Sequence, residues 1–379
     1  MKIGIMTLWW SDDNYGQLLQ CYALQKYLRD AGHNAYLIRY KPKNDYIETP
    51  LWKKLLKACN PIKLYHFIGC KINKLAVYKK VMELNKQRNF DEFRNKYISQ
   101  SEIVYDSYQE LVVNPPEADI YIVGSDQVWN FFWAAPSQVR ALVNAYLLNF
   151  GSENIKRISY AASFGVGKIK KKYIDDIAPL LRKFQYISVR ENSGISIINK
   201  CGINNAEIVP DPTMLLDKDI YRSLYGRESI EKYKKPYCLL YMLSNRTKFS
   251  IQDVYIWANS KNIDIRYVSA NMQFDAYDKI YPTIPQWLGL VDNAQYVITN
   301  SYHCSVFSLL FQKKFAVVPM VGEDERMNDR FYTLFNIFDL KERFINNDFS
   351  VLDKETDWLA VSKVFERMRF ACQLKNIIC

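Results

Sequence analysis

The stretch Val297–Phe315, VITNSYHCSVFSLLFQKKF, constrains what this chain can fold into more than any other. Its β-branched run, Val297, Ile298 and Thr299, has the composition of a buried strand end. Asn300, Ser301 and Tyr302 make a polar corner, Ser305–Gln312 carries apolar residues at helical spacing, and a second apolar strand, Phe315–Val318, follows at once. Strand, polar corner, helix and strand is the arrangement of an α/β binding loop. In such folds ligands sit at the carboxyl ends of strands, where a helix N-terminus offers free N–H groups and a positive dipole. His303 falls in that first helical turn. It is one of three histidines in 379 residues, with His33 and His66, and imidazole is the side chain best suited to exchange protons near neutrality. A second reading stays open, in which Asn300 or Ser301 caps the helix and His303 is merely tolerated.

The same alternation runs from the first residues. Lys2–Leu8 reads as a short buried strand, Trp9–Gly16 (WWSDDNYG) as a polar corner, Gln17–Ala31 as a helix closed by Gly32, and Ala35–Arg39 as the next strand. This βαβ opening lacks G-x-G-x-x-G, so a dinucleotide fingerprint is not supported. Asn14 and Gly16 either shape the turn or touch a ligand. Asp119–Val123 is a strand that delivers Gly124, Ser125, Asp126, Gln127, Val128, Trp129 and Asn130. Asp126 is there a candidate base toward a hydroxyl, or a turn cap; Trp129 or Trp133 is a candidate stacking surface for a sugar. Arg157–Ala162 ends in a small-residue corner, Ser163–Gly167, whose two glycines admit a ligand or shape the loop. Tyr186–Val189 ends in Arg190 and Glu191. An arginine at a strand's carboxyl end clamps a phosphate or carboxylate with its planar fork, or orders the corner against a neighbouring carboxylate. Ile208–Pro212 (IVPDP) reads as a stiff hinge near Asp211.

A second alternating block follows, with strands Tyr237–Leu243 and Ile263–Val268, helices Phe249–Ser260 and Ile284–Val291, and a closing amphipathic helix, Trp358–Cys372. Two such blocks predict an α/β chain of two Rossmann-like domains, 1–212 and 213–379, facing each other across a cleft. A composition 49% apolar supports two sizeable cores. The net charge of +11 favours anionic ligands or an anionic surface. The basic excess concentrates in Leu51–Met82, which has eight lysines and no acidic residue among apolar and aromatic ones. That pattern suits basic amphipathic helices on an anionic membrane, or a solvated helical insertion of about residues 51–95 in the first domain. No nucleic-acid motif accompanies it, so nucleic acid is not an expected partner. Eight cysteines without a C-x-x-C pair, no evident signal peptide and no apolar run of about 18 residues predict a cytoplasmic protein with reduced thiols, peripheral at the inner face of the membrane if the basic segment binds there. Three dispersed histidines argue against a zinc site, and no metal or cofactor is expected.

Six segments occur together and in order: NYGQLLQCYALQKYL at 14–28, VGSDQVWN at 123–130, SYAASFG at 159–165, SVRENSG at 188–194, VPDPTMLL at 209–216 and TNSYHCSVFSLLFQKKF at 299–315. With them the chain resembles the polysaccharide pyruvyl transferase family, from near its start to about residue 340. The resemblance implies a GT-B-like fold, with acceptor bound by the first domain and donor by the second, and a C-terminal helix packing back on the first. It implies phosphoenolpyruvate as co-substrate. It also implies a hexose of a cell-surface polysaccharide (capsule or exopolysaccharide), or of its lipid-linked precursor, as acceptor, and a pyruvate ketal as product.

On the same ground His303 matches the histidine of an R-x-H type motif, contacts the donor phosphate and is the candidate general acid. Arg190 matches a donor-anion clamp, and Asn300, Ser301 and Tyr302 fall on the donor side. Asn14, Tyr15, Gly16, Ser125, Asp126, Gln127 and Trp129 fall on the acceptor side, with Asp126 catalytic. Many members carry arginine two positions before the histidine, whereas this chain has Ser301. The helix N-terminus at 302–305, Arg190, and Lys313 or Arg326 would then have to supply the missing charge. Two rival readings are a GT-B glycosyltransferase using a nucleotide sugar and a non-catalytic glycan-binding protein. The donor bound separates the three.

Overall fold

A computed structural model describes residues 1–42, 80–131, 134, 136–226, 235–270, 275–340, 343–345, 348–372 and 374–378. The basic segment up to residue 79, and Trp133, lie outside the described residues.

Two parallel sheets carry the chain. The first has seven strands in the order β3-β2-β1-β4-β5-β6-β7, namely β1 (Lys2–Met6), β2 (Asn34–Tyr40), β3 (Gln100–Tyr105), β4 (Ile120–Val123), β5 (Lys156–Ala162), β6 (Tyr186–Val189) and β7 (Glu207–Ile208). The second has four strands in the order β11-β10-β8-β9, namely β8 (Tyr237–Met242), β9 (Asp264–Ser269), β10 (Tyr296–Thr299) and β11 (Lys314–Val317). The central strands β4, β8 and β10 are buried at every residue. Strands covered by helices on both faces read as unbroken apolar runs, which is why IYIV, YCLLYM and YVIT give no alternation.

Strand order sets where a ligand can enter. In the first sheet the order reverses between β1 and β4, and in the second between β8 and β10. At each reversal the flanking loops diverge to opposite faces and leave a crevice at the carboxyl ends.

The Tyr15–Asp30 helix follows β1, and twelve of its sixteen residues are buried, so it lies between the two halves rather than on the surface. Tyr15 stacks on Trp287 with ring centroids 5.0 Å apart and donates its hydroxyl to the Pro282 carbonyl at 2.7 Å. Leu18, Leu19 and Tyr22 of this helix share one apolar cluster with Trp287, Tyr302 and Phe307 of the second half. An interface this apolar favours one relative placement of the two sheets. The chain then crosses back. The Trp358–Ala371 helix sends Arg369 to the carbonyls of Met214 and Leu216, and Leu374 and Ile378 join the core beneath β1 and β4. Among the described residues no helix is long and apolar enough to cross a membrane.

Candidate active site

The corner after β10 is organised from its own side chains. Thr299 donates its hydroxyl to the Tyr241 carbonyl at 2.6 Å and accepts from the Ser301 N–H at 3.0 Å. Ser301 caps the Tyr302–Leu310 helix by accepting from the Cys304 N–H at 3.3 Å. Asn300 accepts from the Leu243 N–H at 2.6 Å and donates to the Ser244 carbonyl at 2.7 Å. Its amide therefore holds the loop after β8 in place. Capping and a site role are compatible here, because Ser301 caps while His303, two residues further on in the first turn, lines the cavity.

His303 is wedged between the two halves. On one side stands Gly16, where an added Cβ would lie 2.2 Å from the His303 Nδ1. That close approach requires glycine. On the other side His303 Nε2 lies 3.3 Å from an oxygen of Asp211, off a good hydrogen-bond angle. Asp211 itself is fully buried. One carboxylate oxygen takes Arg190 at 2.9 Å and the Ser125 hydroxyl at 2.8 Å; the other takes the Thr213 N–H at 3.0 Å and hydroxyl at 2.7 Å. Burial works to raise the Asp211 pKa, but the neighbouring His303 and Arg190 and the bonds from Thr213 hold it well below the usual carboxylate range.

Arg190 was expected on the donor wall as an anion clamp. The structure puts it behind that wall, buried, pairing Asp211 and lying 4.6 Å over the Tyr302 ring. It orders the corner against a carboxylate, the other reading of an arginine at a strand end. Glu191 beside it accepts from the Ser163 hydroxyl at 2.9 Å and the Phe164 N–H at 3.1 Å. Burial raises its pKa above the ordinary range against the pull of Arg190.

The cavity in front of His303 measures about 510 Å³. The first half lines it with Ser11, Asp13, Asn14, Asp126 and Gln127, from the loops after β1 and β4. The second half contributes Ser244, Arg246, Asn300, Tyr302, His303, Asp324 and Arg330, from the ends of β8, β10 and β11. Both reversal points thus open into one space. Asp126 sits in the left-handed region at φ +75°, a conformation costly for a residue with a Cβ and concentrated at functional sites. Its carbonyl, bonded by the N–H groups of Val128 at 2.8 Å and Ser163 at 3.1 Å, holds it there. Gly165, at φ +61°, packs against Gln127, where a Cβ would stand 2.5 Å from Oε1. Its freedom serves the loop and the closeness to Gln127.

Several expected contacts fall elsewhere. Trp129 is core: it is 1% exposed, donates Nε1–H to the Tyr146 carbonyl at 3.0 Å and packs on Phe164 and Phe184. It offers no face to a sugar. Tyr15 is used in packing the halves together, and Ser125, fully buried, bonds Asp211. Lys313 precedes β11, at the edge of the sheet opposite the cavity, 3.9 Å from Asp292. Arg326 lies in the Gly322–Asn328 turn and is not on the cavity wall. Two residues that sequence reasoning passed over are Asp211, seen only as part of a hinge, and Arg330. Among the described residues no three His, Cys, Asp or Glu side chains cluster as a metal site would require.

Two doubly wound halves sharing one cleft at their strand ends make this a GT-B-like α/β protein. Solved structures similar to it include a UDP-GlcNAc 2-epimerase from Methanocaldococcus jannaschii with UDP-GlcNAc and UDP bound, at 10% identity and TM-score 0.49, covering 97% of this chain and 93% of that one. An α-glucosyltransferase in complex with UDP and DNA is similar at 10% identity and TM-score 0.46 over 100% of both chains. At such scores the likeness says nothing of the ligand. No curated protein matches the chain. The chain belongs to the polysaccharide pyruvyl transferase family, whose profile matches residues 14–320. It is accordingly a transferase of polysaccharide biosynthesis.

Proposed function

We propose that the cleft moves the enolpyruvyl group of phosphoenolpyruvate onto two hydroxyls of one hexose in a cell-surface polysaccharide or its lipid-linked precursor, forming a pyruvate ketal. One observation carries the reading: His303, backed by the buried anion of Asp211, lines the same cavity as Asp126. Ketal formation asks for that pair of functions, a group that gives a proton to carbon and a group that takes one from a hydroxyl.

The steps balance as follows. The methylene C3 of phosphoenolpyruvate accepts a proton from His303 while Asp211 holds the imidazole. Cationic charge develops at C2, and the first sugar hydroxyl bonds there as Asp126 accepts its proton. The C2–O bond to phosphate then breaks, and the second hydroxyl bonds to C2 and closes the ring. Of the two hydroxyl protons, one replaces that given by His303 and the other leaves with phosphate. Donor sits against the second half and acceptor against the loops after β1 and β4.

The test is incubation of the protein with phosphoenolpyruvate and a panel of lipid-linked and free hexosides. An acceptor should gain the mass of one pyruvate less one water, with stoichiometric phosphate release, and His303→Ala should abolish both. Saturable binding of a nucleotide sugar with no response to phosphoenolpyruvate would replace this reading with glycosyl transfer.

A further inference from the structure

The described residues include six buried arginines, and five are matched. Arg88 donates to the Ser269 carbonyl and the Tyr15 hydroxyl; Arg94 pairs with Asp12 and Asp91. Arg157 reaches the carbonyls of Leu148 and Phe150, Arg190 pairs with Asp211, and Arg343 reaches the Val351 carbonyl. Arg330 is the exception. It is 7% exposed, lines the cavity, and has no hydrogen bond or ion pair with any described residue. Its guanidinium rests 5.8 Å over the Tyr302 ring and 5.6 Å over that of Phe331. Asp126 and Glu191 attract it from beyond pairing distance, while burial and the charge of Arg190 bring its pKa down to about 10. At that value it remains a cation at neutral pH.

A buried cation without a partner costs stability. The fold nevertheless aims it. Arg330 sits in the first turn of the Asp329–Phe338 helix, and the residue before that helix, Asn328, is tied to the loop after β11 by donating to the Met320 carbonyl at 2.8 Å and accepting from its N–H at 3.1 Å. Arginine's planar fork suits paired oxygens of phosphate or carboxylate. With Arg190 engaged by Asp211, the cavity's uncompensated guanidinium belongs to Arg330.

We propose that Arg330 is the anion-binding residue of this cavity, taking oxygens of the donor's phosphate or carboxylate. This rests on the reading of the cleft as a phosphoenolpyruvate site, and the experiment separates the two. Phosphoenolpyruvate, inorganic phosphate and pyruvate are titrated calorimetrically into wild type, Arg330→Met and Arg330→Lys, and each unliganded protein is melted. Phosphoenolpyruvate affinity should fall about 10- to 100-fold in Arg330→Met, the scale of charge-assisted bonds, and less in Arg330→Lys, which keeps charge but loses the fork. The phosphate and pyruvate arms tell which end of the donor the guanidinium holds. Unliganded Arg330→Met should melt at or above wild type, because an unpaired buried charge has been removed. Unchanged affinities would overturn the role of Arg330 and leave the donor intact, as would a variant melting far below wild type, since the arginine would then be structural. Binding of phosphate alone, lost in Arg330→Met, would keep Arg330 and discard phosphoenolpyruvate. No anion bound by wild type would overturn both.

Discussion

Gly16→Ala tests whether the two halves meet at His303 as described. The alanine Cβ would stand 2.2 Å from Nδ1, 2.3 Å from Cγ and 2.5 Å from Cβ of His303. Recovering an ordinary separation of about 3.5 Å requires one side to move by about 1.3 Å. Neither side yields easily: the imidazole is 4% exposed beside Asp211, and the glycine belongs to a helix buried along most of its length. In an open helix the substitution would gain about 1 kcal/mol, whereas overpacking costs about 1–3 kcal/mol. The net effect is a destabilisation of at most about 2 kcal/mol, small for a chain of this size. Catalysis should suffer more, since a misplacement of about 1 Å costs about a hundredfold in rate. Urea unfolding and phosphoenolpyruvate-dependent phosphate release read the two effects. In a His303→Gly background, which removes all three atoms the new methyl would meet, Gly16→Ala should instead stabilise, giving a coupling of about 1–3 kcal/mol across the cleft. A Gly16→Ala protein more stable than wild type by about 1 kcal/mol, with its rate intact, would refute the contact.

Two further perturbations follow from the same geometry. Asp211→Asn breaks a buried charge pair and should cost about 3–5 kcal/mol, with activity lost even where the fold survives. Its pH signature has a definite sign. The folded carboxylate titrates below its unfolded value of 3.8, so its contribution is complete above that value and disappears as pH falls toward the folded one. Wild type should therefore lose unfolding free energy more steeply than Asp211→Asn below about pH 4; parallel curves in denaturant melts across that range would count against a native anion. Trp129→Ala should destabilise by about 3–5 kcal/mol through the cavity it leaves, while Trp129→Phe, retaining most of the packing, should keep acceptor KM. A raised KM in a stable Trp129→Phe protein would return that residue to the acceptor site.

How much of this was legible depended on burial. Tyr186–Val189 and Tyr237–Met242 are covered on both faces, and their apolar runs read directly as strands. The β3 strand went unread because QSEIVY lies at the sheet edge, half exposed, with Ile103 and Val104 facing water. Trp129 was misread for the opposite reason. A polar loop around it suggested exposure, but the backbone of Trp129 and Ser163 pair and turn the indole inward. The order of motifs disclosed the family, and the histidine in the first turn falls on the wall of the candidate cavity.

The remaining part could not be read from local pattern because each missing member acts through a distant partner. Asp211 lies 92 positions before His303 and 86 after Ser125, yet touches both. It sits where the chain leaves the first sheet for the second, so its anion can reach the imidazole only when both halves are packed. Gly16 meets the same imidazole from the other side of that junction. The proposed proton donor is therefore flanked by residues that no single half contains, and its geometry reports on how the two halves are docked. Arg330 shows the complementary case: the informative feature is a missing partner, which becomes visible only after every neighbour of a buried cation has been placed.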